Sequence, residues 1–86
     1  MDSLKVSSLY CFTQLDSINH KRELVLRSCL DLNVRGLIIL AEEGINGTIS
    51  GQMNNVDLVV EKLKKVINCY DINLKEAITD KNPFGR

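Results

Sequence analysis

The 86-residue sequence predicts an α+β fold in the order β-α-β-β-α-β. Three features carry that expectation: two stretches with apolar residues at helical spacing, four strand-like apolar runs, and Gly- or Asn-bearing breaks between them. The order is the split βαβ, or ferredoxin-like, pattern. Each β-α-β unit should cross over right-handedly, which puts both helices on one face of an antiparallel sheet.

The first strand is expected over residues 4–13, with Val6, Tyr10 and Phe12 on one face and Leu9 and Cys11 on the other. Asp16 is the expected N-cap of the first helix. Ile18, Val25, Cys29 and Leu32 form that helix's apolar stripe, and Asn33 is a left-handed stop. After Gly36, the run Leu37-Ile38-Ile39-Leu40-Ala41 has the length and β-branching of a strand buried on both faces. Residues 42–47 read as a turn centred on Asn46-Gly47, because both residue types tolerate positive φ. Thr48-Ile49-Ser50 is then a short returning strand, ended by Gly51. Met53, Val56, Val60, Leu63 and Ile67 make the second helix's stripe, with Asn68 as its stop. Glu61, Lys62, Lys64 and Lys65 fall off the stripe and should be solvated. Ile72, Leu74 and Ile78 alternate with Asn73, Lys75 and Thr79, a half-buried last strand. One domain is expected over residues 1–79, and residues 80–86, with Pro83 and Gly85, read as a linker.

At this length the chain forms one domain with a modest core. Its 44% apolar and 26% charged residues are ordinary for a globular domain and exclude wholesale disorder. Eleven basic residues balance 11 acidic ones, so any nucleic-acid contact must come from a local patch. No run approaches the roughly 20 apolar residues of a membrane span. The start, Met1-Asp2-Ser3-Leu4-Lys5, lacks the pattern of a signal peptide, so a cytoplasmic protein with no membrane partner is expected. Cys11, Cys29 and Cys69 are odd in number and form no C-x-x-C pair. That argues for reduced thiols and against a disulfide framework or a zinc site. His20 stands alone; no metal and no cofactor is expected.

The stretch Glu43-Gly44-Ile45-Asn46-Gly47-Thr48 is the most informative. A simple turn needs only Asn46-Gly47, which leaves Glu43 and Gly44 without a turn role. A carboxylate beside a glycine-rich bend can bind a partner or orient a basic side chain. The run from Gly36 to Gly51, with its E-G-I-N-G-T string, closely resembles the signature of the rhodanese-related tRNA uridine hydroxylases. Tyr10-Cys11-Phe12, Asp16 and Pro83-Phe84 also look like that family, so the resemblance spans nearly the whole chain.

The resemblance implies an amino-terminal, acylphosphatase-like domain of ferredoxin fold, followed in the family by a rhodanese domain with a catalytic cysteine. It implies oxygen-dependent hydroxylation of carbon 5 of the tRNA wobble uridine, with tRNA and the rhodanese domain as partners. The basic strand and rhodanese domain that would follow Pro83-Phe84 are not in this sequence. None of its cysteines lies in a Gly- or Arg-rich loop that would cradle a reactive thiolate, so this stretch alone should be non-catalytic. Cys11 and Cys29 fit their strand and helix as small hydrophobes. Acylphosphatase chemistry would want a Gly-rich, Arg-bearing loop after the first strand, where Thr13-Gln14-Leu15-Asp16 stands instead.

Candidate contacts to tRNA or to a further domain are Glu43, Gly44, Asn46, Gly47, Lys62 and Lys65. The basic clusters His20-Lys21-Arg22 and Lys62, Lys64, Lys65 are either solvated helix faces or a phosphate-contacting patch. Tyr10 and Phe12 are assigned to a core-like strand, which argues against base stacking. Three functions remain in competition: a supporting domain of a tRNA-modifying enzyme, an acylphosphatase-like hydrolase, and a free-standing interaction module. Helices cover one face of the sheet, so Leu37-Ile38-Ile39-Leu40 should leave an apolar patch on the other.

Overall fold

A computed structural model describes residues 4–79 of the chain. Its elements are β1 (Leu4–Phe12), α1 (Ile18–Asp31), β2 (Arg35–Ala41), β3 (Gly44–Gln52), α2 (Met53–Ile67) and β4 (Asn73–Thr79). The sheet order is β2-β3-β1-β4, and every neighbouring pair is antiparallel. This is the ferredoxin-like topology that the order of apolar runs predicts. The linker expected over residues 80–86 lies outside the described residues.

Alternation sorts the sheet into two faces. Leu9 and Cys11 of β1 stand level with Ile45 and Gly47 of β3, and Leu40 stands level with Ile45. Leu9, Cys11, Leu40, Ile45 and Ile49 are buried beneath Val25 of α1 and Val56, Val59, Val60, Leu63 and Ile67 of α2. Burial of each large aliphatic side chain contributes about 1.5–3 kcal/mol. The predicted α2 stripe therefore supplies most of the helix side of the core, with Val59 added, which the three-four spacing leaves out. Of the α1 stripe only Val25 is buried, and Ile18, Cys29 and Leu32 pack half-buried against the core. Asn33 and Asn68 both adopt left-handed backbone at the helix ends, as expected.

Lys5 ties three elements together. Its Nζ lies 2.6 Å from Asp57 of α2 and 3.1 Å from Glu76 of β4. The fully buried Ser7 hydroxyl donates to the same Glu76 carboxylate at 3.0 Å. The hydrogen bond to Asp57, and then that to Glu76, holds the Lys5 ammonium above the ordinary lysine range.

Several expectations are corrected. The hairpin turn is Glu42-Glu43, and β3 runs for nine residues rather than three. Asn46 and Gly47 are extended residues inside β3, paired with Tyr10 and Leu9 on one side and Ile39 and Ile38 on the other. Positive φ falls on Gly44, at 145°. The Asn-Gly rule is local, whereas the observed register sets Ile45 and Ile49 with Leu40 on the buried face. Gly47 is needed for another reason: a Cβ there would overlap the Leu37 carbonyl oxygen.

Asp16 does not cap α1. The cap position is Ser17, in left-handed backbone and without a side-chain cap bond, while Asp16 accepts from Lys21 Nζ at 2.9 Å. That hydrogen bond holds the Asp16 carboxyl below the usual carboxylate range. β2 is not buried on both faces, because it is an edge strand with helices on one side only. β4 is the other edge. Its Leu74 and Ile78 stand on the helix side, level with Leu9 and Lys5, yet are exposed rather than half-buried because the helices do not extend over this edge.

Reduced thiols were expected, yet Cys11 and Cys69 form a disulfide and Cys29 is the free cysteine among the described residues. The two partners are 58 residues apart in sequence, so counting and spacing do not reveal the pair. Cys11 points to the helix side of β1, and Cys69 follows the left-handed Asn68 where α2 ends. Burial pushes the Cys29 thiol up, which keeps it protonated and inert.

Candidate functional site

The face of the sheet opposite the helices carries Tyr10 and Phe12 of β1 and Leu37 and Ile39 of β2. They are 47%, 84%, 67% and 51% exposed. These residues alternate with the buried Leu9, Cys11 and Leu40, so strand geometry drives them to the uncovered side. Tyr10 and Phe12 are thus not core residues, as their strand suggested. Their rings lie 5.8 Å apart, tilted by 59°.

Together they line a groove of about 710 Å³ whose floor is the middle of β3. Asn46 lies in that floor between Tyr10 and Ile39. Thr48 follows on the same face, its hydroxyl 3.2 Å from that of Ser8. Glu43 closes the end at the β2–β3 turn. The turn is fixed by its backbone: the Thr13 amide donates to the Glu43 carbonyl at 3.0 Å, and the Leu15 amide to the Glu42 carbonyl at 2.9 Å. Gly44 takes its φ of 145° where a Cβ would overlap the Cys11 carbonyl oxygen. Both turn carboxylates remain exposed, and among the described residues neither has an ion-pair partner.

Four of the six candidate residues therefore meet: Glu43, Gly44, Asn46 and Gly47 all line this groove. Lys62 and Lys65 do not join them. They lie in the helix layer, in a second groove between α1 and α2 that Arg27 also lines. The aromatic pair and Arg27 were missed from the sequence. One signal could have found the aromatics: Tyr10 and Phe12 alternate with Leu9 and Cys11, and a single helix layer cannot cover both sets.

Chemically, the sheet-face groove is a contact surface. Among the described residues its lining holds hydroxyls, one amide and one carboxylate, but no cation, imidazole or thiol. The described residues also contain no group of three His, Cys, Asp or Glu side chains that could hold a metal ion. No helix among them is long and apolar enough to cross a membrane.

The family model described as UPF0176 acylphosphatase like domain matches residues 4–86. The chain belongs to that family. A tRNA uridine(34) hydroxylase from Wolbachia pipientis wMel is 30% identical over 84 residues, 98% of this chain. The chain spans 30% of that relative's length. Among solved structures, an acylphosphatase from Coxiella burnetii superposes with a TM-score of 0.68 at 13% identity, covering 95% of this chain and 88% of that one. A de novo designed protein, Ferredog-Diesel, gives 0.59 at 8% identity, over 87% and 83% of the two chains. These two likenesses show the fold, which UPF0176 domains share with a natural enzyme and a designed scaffold, and a shared fold does not carry a shared reaction.

Proposed function

We propose that this UPF0176 domain is a non-catalytic, amino-terminal supporting domain of an oxygen-dependent tRNA wobble-uridine 5-hydroxylase. It acts in the cytoplasm and docks its open sheet face against a rhodanese domain of the longer protein. The observation that carries the reading is the apolar groove of Tyr10, Phe12, Leu37 and Ile39, exposed on strands whose alternate residues are fully packed. Contiguous apolar patches of this kind mark interfaces. The relative named as a tRNA uridine(34) hydroxylase is much longer than this chain, which gives such a surface something to pack against. Base stacking on Tyr10 and Phe12 is the less favoured use, because their neighbours are aliphatic and the nearest charge, Glu43, repels phosphate.

The hydrolase reading has less support. The amides of Thr13 and Leu15 are spent on the β2–β3 turn, and the Asp16 carboxylate stands where an acyl phosphate would need cations.

The test uses the full-length protein with Phe12→Ser and Leu37→Asp together. Hydroxylation of tRNA, followed by nucleoside mass spectrometry, should fall at least tenfold while the domain keeps its melting temperature. Full activity in that variant would overturn the docking role.

A further inference from the structure

The helix layer presents a second surface that the docking role leaves unused. Lys5, Lys21 and Lys64 are each matched to a carboxylate: Lys5 to Asp57 and Glu76, Lys21 to Asp16, and Lys64 to Glu61 at 3.0 Å. Arg27, Lys62 and Lys65 have no ion pair among the described residues. All three are exposed and line one groove of about 340 Å³ between α1 and α2. Lys62 and Lys65 are three residues apart on α2, hence neighbours on its surface, and Arg27 comes from the other helix. Its one lining carboxylate, Asp31, leaves the cations in excess.

In a chain with no net charge, this is a local positive field set into a concavity. Leu24 and Val66 also line the groove, where the apolar stems of the long cations can lie with their heads in water. Cations gathered by two helices repel one another, and a polyanion relieves that repulsion. Backbone binding needs only positioned cations and no aromatic platform.

We infer that the α1–α2 groove of Arg27, Lys62 and Lys65 binds the phosphodiester backbone of the tRNA. This rests on the tRNA-modifying reading and adds where the RNA is held. The sheet face then meets protein and the helix face meets RNA, on opposite sides of the domain.

The experiment measures tRNA affinity of the full-length protein by fluorescence anisotropy at 50 and 200 mM salt. The triple variant Arg27→Ala, Lys62→Ala, Lys65→Ala should lose roughly tenfold or more in affinity at the lower salt. Its slope of log K against log salt should flatten by about 2 to 3, one phosphate contact per residue. Lys64→Ala removes the same charge from the same helix and should stay within about twofold, because Lys64 is matched to Glu61. Wild-type affinity and slope in the triple variant would overturn the inference. An equal loss in Lys64→Ala would overturn it too, by reducing the effect to net charge. Competition by polyglutamate that matches competition by unlabelled tRNA, charge for charge, would assign the groove to an acidic peptide instead. A full-length protein that hydroxylates tRNA normally in the triple variant sinks this inference alone. One that never hydroxylates tRNA sinks the broader reading.

Discussion

The two faces of the sheet are built from the same strands and meet opposite fates. On β1, Leu9 and Cys11 are buried while Tyr10 and Phe12, one residue away, are exposed. On β2, Leu40 is buried while Leu37 and Ile39 face outward. Large apolar side chains stand on both sides, but only one side has helices to meet them. The covered face supports folding, and the open face is apolar without any folding need for it. Surfaces of that kind usually mark interfaces, which is the basis of the proposed docking role.

The comparison sharpens first at Ile49, which is 1% exposed. Ile49→Ala should cost about 3 kcal/mol, through lost transfer energy and the cavity left behind, measured by urea unfolding. A cost below about 1 kcal/mol would mean that the covered face is not the core. Lys5 probes the same face at its polar end. Its side chain is 12% exposed, so its ion pairs are better shielded than surface ones. Lys5→Met should still cost only about 1 kcal/mol, because Asp57 is half exposed and Glu76 about a third exposed, so water screens both partners. Because its partners raise the Lys5 pKa, that contribution is full below the ordinary lysine range and lost as pH rises through the raised value. Wild type should therefore lose its advantage over Lys5→Met in strongly alkaline solution, and an advantage that persists there would show that it is not electrostatic.

How much of this was legible in the sequence follows from the range of each interaction. Helix stripes and left-handed Asn33 and Asn68 are local, and the sequence shows them. The hairpin was misplaced by four residues because the local preference of Asn46-Gly47 competes with a register set by Ile45, Ile49 and Leu40. The Cys11–Cys69 bond and the meeting of Arg27 with Lys62 and Lys65 depend on how distant segments pack, and no spacing rule reaches them. The glycine at position 47 was seen, but its reason, close approach of the β2 backbone, is visible only once β2 and β3 are paired.

The open face is tested by Leu37→Thr, which introduces a β-branched side chain suited to a strand and removes apolar surface. Its stability effect should stay within about 0.5 kcal/mol, against about 3 kcal/mol for Ile49→Ala on the covered side. Under the proposed docking role, the full-length protein should nonetheless lose tRNA hydroxylation. A large drop in the isolated melting temperature would collapse the distinction between the faces.

The smallest stability effect belongs to Glu43. Its backbone is used: its carbonyl accepts the Thr13 amide, and Gly44 after it carries the positive φ. Its carboxylate is not used by the fold, since it is exposed and has no ion-pair partner among the described residues. Glu43→Gln keeps the size, the backbone and the hydrogen-bonding reach of the side chain and removes only the charge. Stability should therefore change by less than about 0.5 kcal/mol, as for an ordinary surface substitution. At the end of an apolar groove, a lone carboxylate is suited to receive one cation from the docked partner, where water exclusion strengthens the pair. Under the proposed docking role, the full-length Glu43→Gln protein should then lose hydroxylation at low and high salt alike, because a water-excluded pair is little screened. Unchanged activity together with a lowered melting temperature would leave Glu43 with a structural role alone.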